Sequence, residues 1–133
     1  MEEYKIDQKN NAAYYFIDRH LDTKIENKKV FFEATSIGRS ISYKDLSIQT
    51  NKMIDLLSKL NVRREERVLM LVLDQIEFPI IFWGCIKSGV IPVPINTLLS
   101  KDIIKTILDD CRAKTIFVSQ EIKDLIFDIP DLY

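Results

Sequence analysis

The chain has three glycines, one histidine and two cysteines in 133 residues, and each shortage removes a class of chemistry. Gly38, Gly84 and Gly89 stand in neither G-x-x-x-x-G-K nor G-x-G-x-x-G spacing. A triphosphate is cradled by a run of glycines and small hydroxyl residues whose backbone N–H groups can approach the oxygens, and no such run is present. His20 has no cysteine or second carboxylate placed beside it in sequence, so it reads as a packed residue on the apolar face of a helix, not as an acid–base catalyst. Cys85 and Cys111 fall inside predicted helices and follow no metal-ligand spacing. Without a secretory signal, reduced buried thiols are expected.

Charge of one sign is lacking as well. Lys and Arg total 19 against 20 Asp and Glu, a formal net charge of −1, so nothing in the bulk charge draws the chain to nucleic acid or an anionic membrane. The short basic run Arg63-Arg64 is answered by Glu65-Glu66 and reads as a solvated face. No apolar run reaches the ~18 residues a membrane span needs. The longest, residues 78–95, is interrupted by Lys87, Pro79, Pro92 and Pro94. Residues 1–10 form a polar leader without the apolar core of a signal peptide. A cytoplasmic location, with no membrane or nucleic-acid partner, is the expectation.

What remains is ordinary for a globular domain: 47% hydrophobic and 29% charged residues, in a length that suits one domain. Asn10 or Asn11 caps a predicted helix over residues 12–21 that presents Ala13, Phe16, Ile17, His20 and Leu21 on one face. Lys29 to Ala34 and Ser40 to Tyr43 read as a β-hairpin around Ser36-Ile37-Gly38-Arg39. Ser42 and Asp45, in S-x-x-D spacing, open a helix with Leu46, Met53, Ile54, Leu57 and Leu60 on its apolar side. That helix ends near Asn61.

Val68 to Leu73 is apolar on both faces, as a strand covered by helices on both sides must be. A helix starts near Glu77 or Phe78, with Pro79 in its first turn, and closes at Gly89. Val90 to Ile95 is the next strand. Pro92 and Pro94 leave one of its edges without donors at two positions, so it pairs well on one side only or bounds the sheet. Ser100 caps a further helix that turns Ile103, Ile104, Ile107 and Leu108 to the core. Thr115 to Val118 is a third buried strand, and residues 121–127 add a helical turn or two. The fold class is α/β: an N-terminal helix and β-hairpin, then a βαβαβ unit with a parallel sheet.

Three further positions invite chemistry. Asp109 and Asp110 are adjacent on a helix, so their carboxylates point about 100° apart and do not converge on one ion. Asp74 follows a buried strand, where open α/β sheets place ligand-binding groups. A phosphoacceptor role needs an acidic pair after an earlier strand, and Thr35-Ser36-Ile37-Gly38 cannot supply one, so Asp74 reads as a helix cap. Phe82 and Trp83 lie mid-helix and read as core packing.

Several stretches resemble benzoate-CoA ligases of the adenylate-forming, AMP-binding superfamily, in order and spacing. They are Asn11-Ala12-Ala13 leading into Phe16-Ile17-Asp18-Arg19, then Ser42-Tyr43-Lys44-Asp45-Leu46, then Thr50-Asn51. The run Phe78-Pro79, Phe82-Trp83-Gly84, Ile86-Lys87-Ser88-Gly89 and Pro92-Val93-Pro94-Ile95-Asn96-Thr97-Leu98-Leu99 is the strongest. Arg112-Ala113-Lys114 and Ile116-Phe117-Val118-Ser119 complete it.

The resemblance implies that residues 11–133 are an N-terminal subdomain fragment of an ATP-dependent acid–thiol ligase. Such an enzyme forms an acyl-adenylate from ATP and a carboxylate, then passes the acyl group to coenzyme A. It also implies that the phosphate loop, the acidic magnesium ligand and the mobile-domain lysine lie downstream. No catalytic, metal or cofactor residue is therefore assigned here. ATP, Mg and coenzyme A belong to the parent enzyme, whose coenzyme A path the Asn96 to Leu99 loop would approach. The expected partners are the remainder of the ligase and, through uncovered apolar surface, further copies of the chain. The competing reading is a stand-alone α/β regulatory or interaction module, and the reading frame beyond Tyr133 discriminates the two.

Overall fold

A computed structural model describes residues 10–34, 38–127 and 129. The side-chain oxygen of Asn11 accepts the Ala13 N–H at 2.8 Å and starts α1, Ala12–Phe16. The helix expected to run through residue 21 breaks at Ile17, and a 3-10 turn, Asp18–His20, follows. Tertiary contacts override the local pattern here. Ile17 is sealed among Ile41 and Leu46, and the Asp18 carboxylate is held from two other helices. The break leaves Ala13 and Ile17 buried but turns Phe16, expected in the core, 54% exposed.

Strands β1, Lys29–Phe32, and β2, Ser40–Ser42, pair antiparallel with Phe31 opposite Ile41. The first strand ends at Phe32, before the expected Ala34, although the Glu33 N–H still donates across the hairpin to the Arg39 carbonyl at 2.9 Å. Of the expected turn, residues 36 and 37 lie outside the described residues. Ser42 then caps α2, Tyr43–Lys59: its hydroxyl accepts the Asp45 N–H at 3.1 Å and donates to the Asp45 carboxylate at 2.7 Å. Leu46, Thr50, Met53 and Leu57 are buried on α2, whereas Leu60, expected with them, is 47% exposed. Thr50 is tolerated inside because its hydroxyl donates to the Ser47 carbonyl at 2.9 Å. Asn61 takes the left-handed conformation, φ 55°, just past the helix.

The parallel sheet has the order β4-β3-β5, built from β3 (Arg67–Leu71), β4 (Ile91–Pro94) and β5 (Thr115–Val118). Strand alternation explains the unbroken apolar run in β3. Val68, Met70 and Val72 pack with Met53 and Leu57 of α2 and with Ile81 and Cys85 of α3, Glu77–Ser88. Leu69 and Leu71 face the other way, onto Ile104 and Leu108 of α4, Lys101–Cys111.

Pro79 sits in the first turn of α3, and Gly89, at φ 77°, closes the helix as expected. Gly84 is where α2 meets α3: a Cβ there would stand 2.6 Å from Met53 Cβ. In β4 the N–H groups of Ile91 and Ile95 donate to β3-side carbonyls, those of Glu66 and Met70, at 2.9 and 3.0 Å. Pro92 and Pro94 therefore face outward, at one edge of the described sheet.

Ser100 precedes α4 but does not cap it with its side chain. Its carbonyl accepts the Ile104 N–H at 3.0 Å, the first bond of the helix itself. Of the residues expected inward, Ile104 and Leu108 are buried, Ile107 is half-buried and Ile103 is 48% exposed. A 3-10 helix, Gln120–Leu125, follows β5.

Candidate functional site

Open α/β sheets bind ligands outside the carboxyl ends of their strands, where successive connections diverge. Here β3 is central. Its connection runs to β4 on one side, and the next crosses back to β5 on the other. A crevice of about 340 Å³ opens at that divergence, lined by Arg39, Gln75, Glu77, Phe117 and Ser119 among others.

Its polar groups are committed to one another. The Ser119 hydroxyl accepts the Leu73 N–H at 3.0 Å and donates to Gln75 Oε1 at 3.2 Å, and Gln75 Nε2 donates to Glu121 at 2.8 Å. Arg39 donates through both terminal nitrogens to the Glu77 carboxylate, each at 3.0 Å, and through Nε to Glu33 at 3.0 Å. The hydrogen bonds from Arg39 hold the Glu77 carboxyl below the usual carboxylate range, and Glu77 and Glu33 raise the guanidinium in return. The crevice lining contains no histidine, lysine or cysteine. The arrangement tethers the loop after β3, the hairpin and α3; it does not activate a nucleophile.

Asp74 is exposed beside this crevice and does not cap α3, contrary to the sequence expectation. The N-terminus of α3 is satisfied from afar, by Glu33 Oε1 accepting the Ile76 N–H at 2.8 Å. Ile76 at the cap position is itself helical, φ −55° and ψ −31°, and its side chain has no acceptor. No short-range spacing in the sequence marks Glu33 for this role.

A larger cleft, about 850 Å³, lies between the N-terminal segment, α2 and α3. At its floor the Asp18 carboxylate accepts the Ser47 hydroxyl at 2.7 Å and pairs with Lys87 Nζ at 2.7 Å. Asn11 Nδ2 donates to the Ile86 carbonyl at 2.9 Å. Two of the recognised stretches, Phe16 to Arg19 and Ile86 to Gly89, are thus joined by an ion pair across 69 residues.

The remaining sequence candidates stay apart from both clefts or serve packing. His20 packs tilted against the Tyr43 ring, with the centroids 4.6 Å apart. Asp109 pairs with Lys105 at 2.8 Å along α4, and Asp110 is exposed. Among the described residues no group of three or more His, Cys, Asp or Glu side chains is placed to hold a metal. Phe82 meets Trp83 edge-on at 5.2 Å; Phe82 packs on the Cys85 core and Trp83 on the Ile17 cluster. Burial pushes the Cys85 thiol up to about 12. Asn96 accepts the Leu98 N–H at 2.9 Å in a local turn, which leaves Leu98 89% exposed.

Fold and crevice together define an open parallel α/β unit whose strand-end polar groups are bound internally. The profile of the AMP-binding enzyme family matches residues 18–130, and the chain belongs to that family. It is 34% identical over 126 residues to a 4-hydroxybenzoate–CoA/benzoate–CoA ligase of Rhodopseudomonas palustris, covering 92% of this chain and 23% of the relative. A benzoate–CoA ligase of Thauera aromatica is 37% identical over 91% of this chain and 23% of its own length. Among solved structures, the anthranilate CoA ligase AuaEII in complex with anthranoyl-AMP superposes with a TM-score of 0.78 at 37% identity, over 86% of this chain and 21% of that one. The chain therefore spans about a quarter of the length of the relatives it matches, and its likeness is to the N-terminal portion of benzoate-CoA ligase-like enzymes.

Proposed function

We propose that this chain is the N-terminal portion of an ATP-dependent acid–thiol ligase of the benzoate type. The parent enzyme joins a carboxylate to the α-phosphate of ATP with release of pyrophosphate, and the thiol of coenzyme A then takes the acyl group and displaces AMP. The observation that carries the reading is the 34–37% identity to two benzoate–CoA ligases across more than nine-tenths of the chain. In this reading ATP, magnesium and coenzyme A are bound by the remainder of the ligase, the location is the cytoplasm, and residues 11–133 form one subdomain. None of the 133 residues is catalytic.

Two features of the chain support its inactivity alone. Adenylation develops negative charge on phosphoryl oxygens and needs cations or dipoles aimed at them. Arg39 in the crevice and Lys87 in the larger cleft are each paired with a carboxylate, and Arg19 and Arg64, which also line the larger cleft, stand in no glycine-rich setting that would aim them at phosphate. The three glycines are too scattered to form a phosphate loop. The test is pyrophosphate release with ATP, magnesium and benzoate. The purified chain is expected to give none. Joined to the remaining three-quarters of a benzoate–CoA ligase, in place of that enzyme's own first quarter, it is expected to support turnover. Turnover by the 133-residue chain alone would overturn the assignment.

A further inference from the structure

Charge is balanced over the whole chain, at a formal −1, but not at one place on its surface. A recess of about 490 Å³ opens at the amino ends of β3 and β5, the end of the sheet opposite the crevice. Arg63, Arg67, Arg112 and Lys114 line it, all exposed, against one carboxylate in the lining, that of Glu66. Glu66 is already partly committed. Its Oε2 accepts the Arg63 backbone N–H at 2.8 Å, and its Oε1 stands 4.0 Å from Lys114 Nζ. The guanidinium groups of Arg63, Arg67 and Arg112 have no hydrogen-bond or ion-pair partner among the described residues.

Two helix ends offset part of this charge. The cap residues that follow α2 and α4, Leu60 and Arg112, are both in the lining. Each helix C-terminus carries about half a negative charge. Four cations, set against Glu66 and the two helix ends, leave an excess of about two positive charges. A recess of this volume is roughly one Debye length across at physiological salt, so its cations act together, and its concave shape focuses their field.

We propose that this recess binds a phosphate dianion, free or as a monoester. A dianion matches the excess, whereas a single carboxylate would leave the recess positive. Three arginines to one lysine favour phosphate further, because each planar guanidinium can donate two parallel N–H bonds to two phosphate oxygens. The contact is made by side chains, so it needs none of the glycine-rich backbone that cradles a triphosphate. The inference goes beyond the ligase reading and does not depend on it.

Titration calorimetry with phenyl phosphate and with inorganic phosphate tests this. It is done on the 133-residue chain and on the chain joined to the remainder of a benzoate–CoA ligase. The chain alone is expected to take one equivalent of either ligand, and the tighter of the two names the source. Diphenyl phosphate, a monoanion, should bind more weakly. Arg63→Gln and Arg67→Gln, at exposed positions, should each weaken binding roughly tenfold with unchanged circular dichroism. Arg64→Gln removes the same charge next to the recess without lining it, and should leave the affinity as it is. In the joined protein the Arg63→Gln, Arg67→Gln double variant should lose one equivalent relative to its parent.

No binding to the chain alone would overturn the proposal. So would equal affinity for the monoanion, or an effect of Arg64→Gln as large as that of Arg67→Gln, which would reduce the site to net charge. A joined protein in which the double variant loses nothing would show that the remainder of the ligase supplies the anion, and would overturn it as well. None of these results bears on the pyrophosphate assay.

Discussion

The carboxylate of Glu33 accepts the backbone N–H of Ile76 at 2.8 Å, bringing the end of a hairpin onto the start of α3 across 43 residues of sequence. The Glu33 side chain is 2% exposed. Its charge is answered by the Arg39 guanidinium, which also grips Glu77 in the first turn of α3. A helix start with no capping side chain of its own is thus completed by a different element.

Glu33→Ala removes the acceptor and leaves one N–H without a partner, so it should cost about 1–3 kcal/mol of stability. Glu33→Gln keeps an oxygen for Ile76 and loses only the charge toward Arg39, so its cost should be smaller. Urea unfolding of the three proteins, with equal slopes, measures both. Equal stability of the alanine variant and the parent would remove Glu33 from the capping role.

The Arg39–Glu77 contact predicts a pH dependence. Hydrogen bonding to Arg39 holds the Glu77 carboxyl below its unfolded value. Its contribution is therefore present at neutral pH, above the unfolded range, and is lost as pH falls through the folded value. Arg39→Gln should destabilise the protein at neutral pH, and the two stability curves should draw together in acid. Arg39→Gln also leaves the buried Glu33 carboxylate without its cation, so the gap at neutral pH should exceed that of a solvated ion pair alone. A gap that widens as pH falls would contradict the assignment.

Gly84→Ala sets two effects against each other. Alanine improves an interior helical position by about 1 kcal/mol. Overpacking a filled interface costs about 1–3 kcal/mol. The new Cβ would stand 2.6 Å from Met53 Cβ and 3.5 Å from the Thr50 carbonyl oxygen. Neither atom is the free end of a flexible side chain, so the clash should win. A lowered Tm is expected; a raised Tm would mean that α2 and α3 separate more readily than their packing indicates.

Cys85 and Cys111 should differ in reactivity. The thiolate is the nucleophile, and burial raises Cys85 to about 12. Cys111 is only half-buried. Near neutral pH a disulfide reagent should modify Cys111 first and reach Cys85 only when denaturant is added. Equal rates for both thiols in the native protein would show that the core around Cys85 opens freely.

Much of the fold was legible because its signals act over a few residues. The Ser42–Asp45 cap, the first-turn Pro79, the Gly89 terminus and the unbroken apolar run of β3 all appear where their spacing placed them. Assignments failed where a distant partner intervened. The helix expected to reach residue 21 breaks at Ile17, in a segment clamped by Ser47 and Lys87. Asp74 lost the capping role to Glu33. Ser100 stands at the N-cap position of α4, but its hydroxyl makes no capping bond. The scatter of the three glycines needs no structure to be read, since a glycine-rich run is a property of contiguous sequence.

By itself the sequence determined the α/β class, most element starts and stops, and the family resemblance, because caps, prolines, glycines and hydrophobic period are properties of neighbouring residues. Only the tertiary structure decided that Asp18 meets Lys87, that Glu33 completes α3, and that β4 and β5 bound the described sheet with unequal edges. Those outcomes depend on how separate elements pack, and the energy of that packing belongs to pairs whose separation along the chain no local pattern encodes.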